Sequence, residues 1–263
     1  MLQITGRAHS TLINHVHHVD LFTLCDWIAE AGVKVDMILA DLPYGTTACA
    51  WDTVIPFEPM WARFKRVIKP RGAIVLTASQ PFTSALVMSN VGMFRYEWVW
   101  NKIHAGNFAN AINQPLKVHE SILVFSDETA DYFPQKWKSK PYTLRVNNKA
   151  RQTYGDMSFK ILEYADINER YPVSIIELSN RSEGSGNRLH PTQKPVDLFR
   201  YLIRTYTQPG DTVLDPVVGS GTTAIAAREE QRRFIVGDSS AEYVQVARDR
   251  LSAPYTLPLF GAA

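Results

Sequence analysis

The chain has 263 residues, 45% of them hydrophobic and 21% charged, with 28 Lys and Arg against 26 Asp and Glu, which suits a large α/β body with its own core and excludes wholesale disorder. Two cysteines, Cys25 and Cys49, exclude a disulfide framework and a cysteine-based zinc site. No apolar run approaches the ~20 residues of a membrane helix, and Met1–Ser10 lacks the basic and apolar regions of a secretory leader, so the expectation is a cytoplasmic protein with no membrane partner.

Leu21, Leu24, Cys25 and Ile28 share one helical face, and Gly32 is expected to end that helix. Val35–Ala40 is a compact apolar run and predicts a buried strand that stops at Asp41-Leu42-Pro43-Tyr44-Gly45. Met60, Trp61, Phe64, Val67 and Ile68 predict a second helix, stopped by Pro70 and Gly72. A strand over Ala73–Thr77, a helix over Pro81–Asn90 and strands over Tyr96–Trp100 and Ser121–Phe125 follow.

From Asp127 to Asn180 the pattern decays, and it resumes after the Gly/Ser-rich residues 182–187. Pro195–Tyr206 predicts a helix with proline in its first turn, Thr212–Leu214 a strand, Thr222–Glu229 a helix, Phe234–Val236 a strand and Ser240–Leu251 a helix. Alternating apolar strands and helices predict an α/β fold: a mostly parallel, twisted sheet covered on both faces, with residues 1–126 and 181–263 forming the body and 127–180 an inserted segment. Such sheets bind ligands just beyond the carboxyl ends of their strands.

Two strand ends carry chemistry. The first is Asp215-Pro216-Val217-Val218-Gly219-Ser220-Gly221-Thr222-Thr223-Ala224, which opens a helix. Its glycines allow a tight turn and close approach of a ligand to the backbone, and Thr222 is expected to help cap the helix. Asp238 ends the next strand, where an acid can bind both hydroxyls of a ribose. The spacing Gly219-x-Gly221-x-x-Ala224 also fits the dinucleotide fingerprint of nicotinamide dehydrogenases, so the residues imply a nucleoside cofactor without choosing one.

The second is Asp41-Leu42-Pro43-Tyr44. An exocyclic amine on a flat base offers two N–H donors and a π-face. Asp41 can accept one N–H, the Leu42 carbonyl the other, and Tyr44 can stack on the ring. A bare Asp-X-Pro turn after a strand is the plain alternative.

Together these motifs resemble the S-adenosylmethionine-dependent amino-methyltransferases of DNA, β class. The catalytic pattern [DNS]-P-P-[YFW] is matched by Asp41–Tyr44, the cofactor loop D-P-F-x-G-S-G-T-T by Asp215–Thr223, and a third block by His190-Pro191-Thr192-Gln193-Lys194-Pro195. The resemblance covers nearly all of the chain outside about 127–180, and Trp100-Asn101-Lys102 and His119-Glu120 also fit its pattern. Leu42 stands where the family has its first proline and Val217 where it has phenylalanine; the carbonyl needed at 42 belongs to the backbone.

The resemblance implies a Rossmann-like methyltransferase fold with circularly permuted motif order and S-adenosylmethionine as cofactor. Asp41, Leu42, Pro43 and Tyr44 would be catalytic. Asp215, Pro216, Gly219, Ser220, Gly221, Thr222 and Asp238 would hold the cofactor, with His190, Thr192 and Lys194 against its methionine part and Asp20 near its adenine. Methyl transfer would be direct and in line, needing no covalent intermediate and no metal, with the target base flipped out if the DNA is duplex. Aspartate at 41 leans to adenine N6, since the N4-cytosine members more often carry serine there; cytosine N4 and RNA adenine are the alternatives. A dehydrogenase leaves Asp41–Tyr44 and His190–Pro195 unexplained. The resemblance implies a bacterial or phage source, and leaves room for a homodimer and a restriction partner.

Six of the basic residues, Lys136, Lys138, Lys140, Arg145, Lys149 and Arg151, fall in Tyr132–Gly155, which contains no acid and interleaves Trp137 and four other aromatics. This segment is the candidate DNA contact, cations for phosphates and rings for bases. The rest of the chain then holds 22 basic and 26 acidic residues, so the near-neutral total does not argue against DNA.

Overall fold

Val35–Ala40 forms β2, buried along nearly its whole length, and its side chains alternate between two cores: Ile38 and Ala40 to one face, Met37 and Leu39 to the other. The same alternation runs through β3 (Ile68–Ala78), β5 (Lys117–Phe125), β9 (Thr212–Asp215) and β10 (Arg233–Asp238). A strand that is apolar on both faces has to be covered twice. One face is covered by α1 (Leu21–Glu30), α2 (Phe57–Val67) and α3 (Phe82–Ser89), the other by α4 (Val196–Tyr206), α5 (Thr222–Glu229) and α6 (Ala241–Ser252).

This computed structural model describes residues 11–47, 49, 52–142, 167–180 and 193–253. The chain divides into two units, Met1–Phe133 with Ser174–Ala263, and Pro134–Val173. In the first, an eight-stranded sheet has the order β1-β10-β9-β2-β3-β5-β4-β8, with β1 at His15–His18, β4 at Phe94–Gly106 and β8 at Ile175–Glu177. The pairings from β1 through β3 are parallel, β5 is antiparallel to β3 and β4, and β8 closes the far edge parallel to β4. In the second unit β6 (Trp137–Tyr142) and β7 (Ile167–Arg170) form an antiparallel pair.

Strand β2 and helix α5 have the limits that periodicity predicts. Several details differ. Proline 70 and Gly72 do not stop α2; the helix ends at Val67 and β3 begins at once, its first turn-like residues pairing loosely at the sheet margin. Strands β1 and β8 are additions to the expected set. β1 is polar in composition (HVHH) and edges the sheet; β8, inside the segment expected to be inserted, completes the main sheet, so residues 127–133 and 174–180 belong to the body. Thr222 does not cap α5. The cap position is Gly221, in the left-handed region at φ 88°, and the Thr222 hydroxyl donates instead to the Lys194 carbonyl at 3.4 Å.

Candidate active site

β9 and β2 are neighbours, but the chain leaves them towards opposite edges of the sheet: β9 continues through α5 to β10, and β2 through α2 to β3. At this switch point the strand ends diverge and leave a crevice. A cavity of about 600 Å³ opens there, within the size range of small-molecule sites. Asp20, Asp41–Tyr44, Asp215–Ser220 and Asp238 all line it, so the structure brings the two sequence motifs to one place.

The β9 end is built from backbone. Gly219 (φ 52°) and Gly221 (φ 88°) turn the chain into α5, and the Val218 N–H donates to the Gly237 carbonyl at 2.9 Å. A Cβ on Gly221 would lie 2.9 Å from that of Ala247, so α6 packs on the loop only because position 221 is glycine. A Cβ on Gly219 would meet nothing within 4 Å, which leaves the space above that turn open. Asp238 accepts the Gly219 N–H at 2.9 Å through Oδ2 and the Ser240 N–H at 2.8 Å through Oδ1. A carboxylate oxygen has two acceptor sites, so each still has one for a ligand hydroxyl. Asp215 is buried and takes the Thr223 hydroxyl and, at 3.1 Å, the Val217 N–H. Burial raises its carboxyl to about 7; the bonds from Thr223 and Val217 oppose this, and the charges of Asp41 and Asp238 add to it.

Asp20 lies on the cavity wall, where it caps α1, accepting the Phe22 and Thr23 N–H groups at 2.9 and 3.1 Å and the Thr23 hydroxyl at 2.7 Å. Burial opposes its ionisation, but these bonds outweigh it and hold the carboxyl below its usual range.

The β2 end is built from side chains. Asp41 Oδ1 accepts the Tyr44 hydroxyl at 2.8 Å, the Thr77 hydroxyl and Lys194 Nζ at 2.8 Å, while Oδ2 accepts only Lys194, also at 2.8 Å, among the described residues. Thr77 comes from the neighbouring strand, where Ala40 pairs with Leu76. Lys194 is 8% exposed; burial would lower its ammonium, but the carboxylates of Asp41 and Glu120 outweigh that and raise it. Burial and the same two charges push the Tyr44 phenol well above its usual value, so Tyr44 is a neutral donor. Phe82 takes one face of the Tyr44 ring, 5.2 Å between centroids at 26°. The Leu42 side chain is buried in the core, and its carbonyl accepts no hydrogen bond among the described residues. Behind the motif, Asp52 gathers the N–H groups of Gly45, Thr46 and Thr47 at 2.8, 2.9 and 2.7 Å and fixes the loop that walls the cavity.

Thr77 and Asp52 are site residues that motif reading missed, while Glu120 fits the family pattern at His119-Glu120 without a role attached to it. Thr77 carries a faint signal as the polar end of a buried strand; Asp52 carries none beyond its type. Of the third block, Gln193 and Lys194 line the cavity, while His190 and Thr192 lie outside the described residues. Lys194 touches Asp41 directly and so belongs to the β2 end.

The basic segment lies in the second unit. Trp137, Lys138 and Lys140 are exposed on β6, whereas Lys136 pairs with Glu169 of β7 at 3.4 Å and lies over the Tyr171 ring. An acid from outside the basic segment is thus folded back onto it. Arg145, Lys149 and Arg151 lie outside the described residues. His17 is buried, its ring bonded to the Leu12 carbonyl at 3.0 Å, and among the described residues no group of acidic, His and Cys side chains could hold a metal ion. Nor is any described helix long and apolar enough to cross a membrane.

The glycine loop and the Asp-X-Pro-Tyr end thus share one crevice at the switch point of an α/β sheet, where such folds bind ligands. Residues 35–249 match the N6/N4 family model described as DNA methylase, and the chain belongs to that family. It is similar to the type II methyltransferase M2.DpnII of Streptococcus pneumoniae, 26% identical over 84% of this chain and 83% of that protein. M2.LlaDCHI of Lactococcus lactis subsp. cremoris is 27% identical over 92% and 90%. Among solved structures, the complex of M1.HpyAVI with SAM superposes with a TM-score of 0.61 at 24% identity, over 90% of this chain and 98% of that one. The cytosine-N4-specific PvuII DNA methyltransferase gives 0.58 at 15% identity, over 89% and 85%.

Proposed function

We propose that this DNA methylase transfers the methyl group of S-adenosylmethionine to the exocyclic N6 of adenine, with Asp41 as the acceptor that holds the target amine. The observation that carries the reading is the state of Asp41: Oδ1 is filled by three donors, Oδ2 retains an acceptor site, and the neighbouring Leu42 carbonyl is unused among the described residues. Two spare acceptors on one cavity wall match the two N–H donors of an amino group.

The cavity fits the cofactor. Asp238 offers two acceptor sites for a ribose, the open turn at Gly219 admits close approach, and the buried Gln193 Oε1 lacks a hydrogen-bond partner among the described residues and can take an ammonium. Bound there, S-adenosylmethionine supplies an electrophilic methyl on sulfonium sulfur. The target nitrogen forms its bond to that carbon as the carbon–sulfur bond breaks, the electron pair staying on sulfur. The nitrogen carries the positive charge until one proton leaves to water. Asp41 and the Leu42 carbonyl orient the amine and stabilise that charge as it grows, and the Tyr44 ring, with Phe82 and Lys194 Nζ against it, borders the place of the base. A duplex target is flipped out to reach them.

Aspartate at 41, where relatives acting on cytosine more often carry serine, supports adenine. Unmethylated genomic DNA incubated with radiolabelled cofactor should yield N6-methyladenine on nucleoside analysis; N4-methylcytosine would replace the base assignment. Asp41→Ala should lose methyl transfer while cofactor binding, read by calorimetry, persists, and wild-type activity in that variant overturns the role of Asp41. Lys138 and Lys140, exposed on β6, are the proposed phosphate contacts together with Lys136. Neutralising the three together should flatten the salt dependence of DNA binding, and an unchanged slope returns them to a solvated surface.

A further inference from the structure

Glu120 stands on β5, opposite Trp100 of β4, with its side chain 16% exposed. Its Oε1 accepts Lys102 Nζ at 3.1 Å. Its Oε2 is buried, takes no hydrogen bond among the described residues, and lies 3.3 Å from Lys194 Nζ. Lys194 in turn donates to both oxygens of Asp41. Four charges therefore alternate in sign, from Lys102 through Glu120 and Lys194 to Asp41, and sum to zero.

Such a row solves a problem that Asp41 alone does not. A carboxylate left unpaired in this crevice carries the cost of a poorly solvated charge, so it needs a cation. An ammonium paired with Asp41 alone would cancel the negative potential that stabilises the charge growing on the target nitrogen. With Glu120 on its other side, the ammonium is shared between two carboxylates. Asp41 keeps Oδ2 open, with its charge only partly offset.

We propose that Glu120 is a positioning residue for methyl transfer, acting through Lys194: it holds the ammonium between two carboxylates and so keeps it from cancelling the negative potential that Asp41 offers to the target's amino group. The proposal rests on the reading of Asp41 as the amine acceptor.

The experiment measures methyl transfer to unmethylated genomic DNA and S-adenosylmethionine binding by calorimetry. Glu120→Gln should lower kcat about tenfold or more while leaving the cofactor dissociation constant within about twofold. In a Lys194→Met background, Glu120→Gln should cost nothing further, because its intermediary is gone. Wild-type kcat in Glu120→Gln, or effects that multiply in the double variant, would each overturn the proposal. Should Glu120→Gln not fold, Glu120→Asp, which keeps the charge one methylene back, is read instead. It should retain more of the wild-type kcat than Glu120→Ala, and equal loss in the two overturns the proposal. Asp41→Ala separates the layers: inactive Asp41→Ala with wild-type Glu120→Gln removes only the role of Glu120, whereas active Asp41→Ala removes the reading beneath it.

Discussion

The carboxyl ends of β9 and β2 present aspartates to one cavity but hold them by different means. On the β9 side, Asp215 at the end of β9 and Asp238 at the end of the adjacent β10 are met by backbone N–H groups and one threonine hydroxyl, and no cation is among their hydrogen-bond partners. At β2, Asp41 is met by three side chains, one of them a buried lysine. The first arrangement is made by local chain geometry and suits a ligand bound the same way in every turnover. The second joins parts of the chain 36 and 153 residues away from Asp41, and it suits an acceptor whose charge has to be set for a reaction.

If the β9 end depends on backbone shape, its largest sensitivity is steric. Gly221→Val places a branched side chain where even a Cβ meets Ala247 at 2.9 Å, on a residue at φ 88°. Backbone strain and overpacking should together cost about 3–5 kcal/mol. Melting should fall accordingly, and S-adenosylmethionine should no longer raise the melting temperature. A variant that melts and binds like the wild type would show that α6 yields and that glycine is not required there.

Asp238→Ala tests the division of labour with a smaller effect. It removes two acceptor sites for a ribose and strands the N–H groups of Gly219 and Ser240. Cofactor affinity should drop roughly 10- to 100-fold, the size expected for hydrogen bonds to a charged group. Turnover at saturating cofactor should change far less, the reverse of Asp41→Ala. A fall in kcat at saturation with unchanged affinity would break the distinction between the two ends.

The same contrast explains what could be read in the sequence. The β9 end was legible because glycines, a strand and a following acid are local signals: the limits of α5, the turn at Gly219 and the place of Asp238 all follow from them. The β2 end was legible only in its four consecutive residues. Thr77 reaches Asp41 because β3 pairs with β2, and Glu120 reaches Lys194 because β5 and β4 carry it there; no spacing in the chain encodes such meetings. In the fold, β1 and the start of β3 were hidden for a related reason. An edge strand needs no apolar run, and β3 spans Pro70 and Gly72 because Ile68 pairs with Val35 and Ala73 with Met37 on either side of a register shift.

The least intrusive test uses pH. Without a cation among its partners, Asp215 has its carboxyl raised by burial to about 7, against an ordinary value of 3.8. Between those values the folded protein holds a proton that the unfolded chain releases. Stability contributed by this group therefore falls as pH rises from about 4 to about 7, and above that the full penalty of a buried charge applies. Asp215→Asn removes the ionisation while keeping a side-chain oxygen for the Val217 N–H. Relative to the wild type, its melting temperature should rise with pH between 5 and 7 and the difference should then level off. A difference that stays flat from pH 5 to 8 would mean that Asp215 is ionised throughout. The β9 end would then hold its buried carboxylate by hydrogen bonds alone.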